Sequence, residues 1–141
     1  TMERKGLGIP ATDDLAGWKE ADSRLTRRFV DQMNEEGFWS ARALKGYFGD
    51  HDARVLLVAH EARAVAQAYT TWAILDYRPQ RTGKTRAENM LAKGLPEPEA
   101  MLLRARIESY PSLYRAASHD GRAGTVVLED VLLGGAVTVY D

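Results

Sequence analysis

At Pro111 the hydrophobic pattern of this chain changes its period. Before it, apolar residues recur every three to four positions, the spacing of one face of a helix. After it come "SLYRAASH", "TVVLE" and "AVTVY", short β-branched or alternating runs separated by the turn sequences "DGRAG" and "LLGG". The pattern predicts an α+β fold. A helical body over residues 12–110 precedes a small C-terminal three-stranded antiparallel β meander over 113–140, in a single domain, 1–141. Three strands are few for independent stability, so the meander is expected to lean on the helices or to continue in a longer protein. Val137 and Val139 should face the helices, with Thr138 and Tyr140 outward.

Punctuating residues set the helix boundaries. Asp13 and Asp14 suit a helix N-terminus, where carboxylates meet the positive end of the dipole. Leu15, Trp18, Leu25, Phe29 and Met33 form one face of the helix that follows, and Gly37 fits its cap. A short helix is expected over 41–48, ended by Gly49, with Asp50 capping the next. That next helix, about His51 to Leu75, carries the longest stripe: Val55, Val58, Ala59, Ala62, Val65, Ala66, Tyr69, Trp72 and Ala73. Residues 78–84 read as a loop after it, and 86–93 as a short helix ended by Gly94. "LPEPEA" opens a last helix with Ala100, Leu103, Ile107 and Tyr110 on one side.

Composition excludes several classes. The chain has 141 residues, 28% of them charged, and a net charge of −1, so no global field favours nucleic acid or a membrane. With no cysteine it has no disulfide, no thiolate zinc site and no cysteine nucleophile. No apolar run approaches the ~20 residues that span a bilayer, and no stretch reads as a signal peptide. A cytoplasmic protein without a cofactor is the expectation.

"RTGKTRAE", residues 81–88, has the look of a phosphate loop. A true one needs a glycine five residues before the Gly-Lys pair, and Arg78 stands there. A strand should also precede it, where here a long helix ends. Thr85 and Glu88, three apart at a helix start, instead suit a capping box. Arg78, Arg81, Lys84 and Arg86 still crowd one loop. They form either a solvated basic loop or a weak site for a phosphate or an acidic partner.

"HEARA", residues 60–64, begins like a zinc-protease helix, but Ala64 replaces the second histidine, which leaves His60 a surface residue. In "GDHD", residues 49–52, capping by Asp50 explains the cluster better than a metal does. Two carboxylates stand out. Asp22 falls inside the apolar stripe between Trp18 and Leu25, where it needs an arginine partner or a raised pKa. Asp76 lies at the C-terminal end of a helix, where the dipole disfavours it. Arg78 or the N–H groups of the 80–86 loop should compensate.

"TTWAILDYRP" and "SLYRAASHDGRAGTVVLEDVLLGGAVTV" carry a resemblance. The first is similar to an aromatic-rich helix end in uncharacterised bacterial proteins that often carry a SEC-C zinc motif. The second resembles the segment following it there: a Leu-Tyr leading into a strand, a glycine turn, then a Leu-x-Asp-x-x-x-Gly run. Here those positions are Leu113, Tyr114, Gly121, Gly124, Leu128, Asp130 and Gly134. The likeness covers roughly 69–140. With no cysteine present, no zinc ligand carries over, and the resemblance implies architecture and an adaptor context in place of a reaction.

The expected function is a non-enzymatic protein-binding or adaptor module. The alternatives are an RNA- or ribosome-associated factor using the basic 78–86 loop, and an enzyme holding Asp22 or Asp76 in a pocket. The final strand, 136–140, has no lysine, proline or bulge to blunt it and offers an edge to a partner.

Overall fold

The computed structural model describes residues 8–58, 62–80 and 83–140. Among these, helices come first and a three-stranded antiparallel sheet last, an α+β arrangement. The chain divides into two compact units, one ending at Glu108 and the other beginning at Ser109.

In the first unit, α1 (Leu15–Met33) starts on Asp14, whose carboxylate accepts the Gly17 N–H at 2.9 Å. A Cβ at Gly17 would lie 2.4 Å from the Asp14 carboxylate, so a larger residue there would displace the capping side chain. The helix buries Ala21 and Leu25 and half-buries Trp18, Phe29 and Met33, while Leu15, in its first turn, is exposed. Its cap is Asn34, not Gly37. Gly37, at φ +84°, instead turns the loop that brings Phe38 inward. α2 (Ala41–Phe48) runs from a Ser40 cap to Gly49 at φ +63°.

The helix expected over 51–75 is described as two, α3 (Ala53–Val58) and α4 (Ala62–Leu75), on either side of residues 59–61. Asp52 rather than Asp50 starts α3, its carboxylate accepting the Arg54 N–H at 2.9 Å. Two residues of the expected stripe are exposed, Val55 at 61% and Val58 at 83%, and Leu56 and Leu57 pack inward in their place. Residues 55–58 are consecutively apolar, so pattern alone fits any face, and the start at Asp52 fixes the phase.

α5 (Arg86–Lys93) and α6 (Glu97–Glu108) complete the unit. α6 stops short of Tyr110, which is exposed and not on the buried side.

Tyr69, fully buried on α4, is the centre of the core. Its ring stacks on Trp39 and Phe48 and meets Phe38 and Tyr47 edge-on, with centroids between 4.9 and 5.8 Å. Its hydroxyl donates to the Phe38 carbonyl, which satisfies the one polar atom that burial would otherwise strand. Burial pushes this phenol above its ordinary pKa.

In the second unit, β1 (Tyr114–Asp120), β2 (Thr125–Asp130) and β3 (Ala136–Tyr140) pair in sequence order. Both hairpin turns have the pattern Asp-x-x-x-Gly. Asp120 accepts the N–H groups of Arg122 and Ala123, and Asp130 those of Leu132 and Leu133. Gly124 (φ +60°) and Gly134 (φ +78°) close them in the left-handed region that glycine reaches without steric cost. The register aligns Val126 with Val139 and Leu128 with Val137 and Ala116, so these residues share one face. Thr138 and Tyr140 occupy the other. The valines expected to be covered by helices are exposed, Val137 at 50% and Val139 at 37%.

Candidate functional site

The loop between α4 and α5 gathers most of the chemistry anticipated for this chain. Thr85 Oγ accepts the Glu88 N–H at 3.1 Å, and the Glu88 carboxylate accepts the Thr85 N–H at 2.7 Å. This reciprocal pair is the capping box that begins α5. The same carboxylate receives both Nη groups of Arg78 at 2.8 Å, and Nη1 also donates to the Gly83 carbonyl at 2.7 Å. The Arg78 hydrogen bond first, and then the Thr85 N–H, hold the Glu88 carboxyl below its ordinary range.

Arg78 is therefore the clasp of the loop, and its partner is Glu88, not Asp76. Asp76 is exposed and has no side-chain partner among the described residues. The capping box already fixes Glu88, so Arg78 meets a pre-oriented pair of oxygens. A bidentate fork favours that geometry over an exposed, unheld carboxylate two residues away.

Arg86 is engaged as well. Its Nη1 donates to Glu35 at 3.1 Å, its guanidinium lies 5.2 Å from the centre of the Phe38 ring, and its Nε is buried without a hydrogen-bond partner. Arg81 lies outside the described residues. Lys84 is exposed and lines a shallow cleft of about 270 Å³ with Pro79, Gln80, Gly83 and Asn89. Two of the four cations grouped as an anion site are thus committed to internal carboxylates.

Asp22 is half-exposed and accepts from Arg106 Nη2 on α6. The Arg106 guanidinium lies 5.3 Å from the centre of the Phe29 ring. This pair joins α1 to α6 and leaves the carboxylate facing a cation. "GDHD" resolves into the Asp52 cap with Asp50 and His51 exposed. Among the described residues no group of three or more histidines and carboxylates could hold a metal. His60 lies outside them. No helix among them is long and apolar enough to cross a membrane.

Two carboxylates have roles that the sequence did not disclose, although Asp130 stands in the Leu-x-Asp-x-x-x-Gly run. Glu99 on α6 is fully buried and accepts from Arg24 Nε at 2.8 Å and Arg28 Nε at 2.7 Å, both on α1. Burial pushes this carboxyl up, and the two arginine hydrogen bonds overcome that and hold it below its ordinary range. The available signal was a matched pair of spacings. Arg24 and Arg28 stand four apart beside Leu25, and Glu99 stands four before Leu103. Asp130 is the second. One oxygen accepts Ser112 Oγ at 2.7 Å and the two turn N–H groups, and the other is buried without a partner. The Leu133 N–H first, and then Ser112, hold its carboxyl low.

No curated protein matches this chain, and no solved structure does. A family model does: DUF7986, described as a family of unknown function, matches residues 18–141. The match begins in α1 and runs through β3. It takes in both units. The arginines and carboxylates that tie α1 to α6 fall inside it, as do the loop clasp and both Asp-x-x-x-Gly turns. The chain belongs to the DUF7986 family of unknown function.

Proposed function

We propose that this chain is a non-enzymatic protein-binding or adaptor module of the cytoplasm, one that works beside a zinc-binding SEC-C motif in longer bacterial proteins. The observation that carries the reading is the one-sided sheet of the second unit. Ala116, Val126, Leu128, Val137 and Val139 share one face, with His119 opposite Val126 at its edge, and Leu132 (65% exposed) and Leu133 (68%) stand exposed in the turn after β2. Contiguous exposed apolar surface of this kind marks an interaction site far more often than scattered single residues do. The carboxylates that could have supported an enzyme point elsewhere. Asp22 and Glu99 face arginines, Asp76 is exposed at the end of α4, and Asp130 organises a turn. An RNA-binding loop is the weaker reading, because Arg78 and Arg86 are bonded to Glu88 and Glu35.

The test places a photo-crosslinking residue at position 132 in cells and identifies what it captures. The complex is then rebuilt from purified components. Val137→Asp and Leu133→Asp should each weaken the rebuilt complex at least tenfold while the circular dichroism stays that of the parent. A rebuilt complex indifferent to both substitutions would refute the reading, as would captured proteins that never bind when purified.

A further inference from the structure

The two edges of the sheet differ in kind. β1 is interrupted by a register shift between Ala116 and Ser118 and carries Arg115, His119 and Asp120. A bulge and charges are standard means of keeping an edge from pairing. β3 has neither. Its five residues, Ala136 to Tyr140, are uncharged, regularly paired to β2 and exposed throughout.

The register shows which backbone groups of β3 are free. Asp130 N–H donates to the Gly135 carbonyl at 2.9 Å, so the 130–135 pair is of the hydrogen-bonded type. Hydrogen-bonded and non-bonded pairs alternate along an antiparallel ladder. With Leu128 opposite Val137 and Val126 opposite Val139, residues 137 and 139 point their N–H and C=O groups at β2. Ala136, Thr138 and Tyr140 point theirs away from the sheet.

We propose that β3 pairs antiparallel with β3 of a second copy of this chain, about a two-fold axis through Thr138. The free groups match themselves in that register. Thr138 stands opposite its own copy, and Ala136 stands opposite Tyr140 on each side. Each of these pairs exchanges two hydrogen bonds. Val137 meets Val139 of the other copy on the apolar face, a favourable cross-strand pair. The five residues of β3 carry no charge to oppose it. Self-pairing of β1 would instead bring its charged side chains across the axis. A two-fold pairing also closes on itself, where β3 joined to β1 of another copy would propagate as a fibre.

Five residues bury much less than the ~800 Å² per partner of a standard stable interface, so the dimer is weak and depends on concentration. The proposal does not rest on the partner-binding role of the apolar face, because it uses the edge.

Sedimentation equilibrium from about 1 µM to about 1 mM should show reversible dimerisation. Thr138→Pro is the informative variant. Proline removes only the N–H that points away from β2, and an edge tolerates it there. This variant should stay monomeric across the range with its melting temperature within a few degrees of the parent. Isotope-filtered spectra of mixed labelled and unlabelled chains should show contact between the α-protons of Val137 and Val139 across the axis, the close pair of that register. The proposal is overturned by a monomer at 1 mM, by a dimer that survives Thr138→Pro with the fold intact, or by an edge that pairs only with a different protein.

Discussion

Replacing Glu99 by glutamine tests the charge bridge between α1 and α6 directly. The fully buried carboxylate accepts one hydrogen bond from each of Arg24 and Arg28. Charge-assisted bonds contribute about 1.5–3 kcal/mol each, and breaking a fully buried pair costs about 3–5 kcal/mol. The arginine side chains are 27% and 44% exposed, so water re-solvates part of what they lose. Glutamine keeps the shape and one acceptor but turns an N–H₂ donor toward the other guanidinium. These considerations give a loss of about 2 kcal/mol, or roughly 8–10 °C in melting temperature for a unit of this size.

The pH dependence sharpens the test. The folded carboxyl lies below its unfolded value, which is near ~4.3. Its contribution is therefore present above that value and is lost as pH falls through the folded one. Urea melts of the parent and Glu99→Gln should differ by a constant gap between about pH 6 and 8, and the gap should shrink as pH falls below the ordinary glutamate range and the folded carboxyl takes up its proton. Equal stability at pH 7, or a gap that persists unchanged into acid, would refute the bridge as a source of stability.

Thr85→Ala should destabilise by roughly 0.5–2 kcal/mol, as loss of an N-cap does, and ATP should leave the melting temperature of the parent unchanged; a rise that depends on Lys84 would restore the nucleotide reading. Arg78→Ala should speed amide exchange at Gly83 and Lys84 while Asp76→Asn leaves it alone, because the clasp runs to Glu88; the reverse result would reinstate Asp76. Tyr69→Phe should cost about 1–2 kcal/mol in urea melts, because it strands the buried Phe38 carbonyl; a neutral outcome would mean that water reaches that carbonyl.

What was legible in the sequence was local. The capping box at Thr85 and Glu88, the stop at Gly49 and the glycine turns at 124 and 134 all act within four residues, so the pattern and its cause lie in the same short window. The α+β division was legible for the same reason, since a change of period needs no knowledge of partners. What failed was phase and pairing. Residues 55–58 are apolar on every side, and only the helix start decides which of them turns inward. Asp76 and Arg78 looked paired because they are neighbours, but a carboxylate already held by a cap ten residues on outcompetes a free one nearby.

The carboxylates make the distinction physical. Asp22 declared itself because it interrupts an apolar stripe, and a charge in such a place requires a cation wherever the chain can supply one. Glu99 interrupts nothing visible, because it sits in "EPEA", where an acidic first turn already has a local explanation in the helix dipole. The dipole accounts for a carboxylate in that turn but not for burying it. Burial is accounted for by two arginines 75 and 71 residues earlier in the chain. A residue with a sufficient local reason conceals its long-range one, and a residue with no local reason reveals that a long-range one exists. By that rule the uncharged β3 is another segment that lacks a local reason for what it leaves exposed.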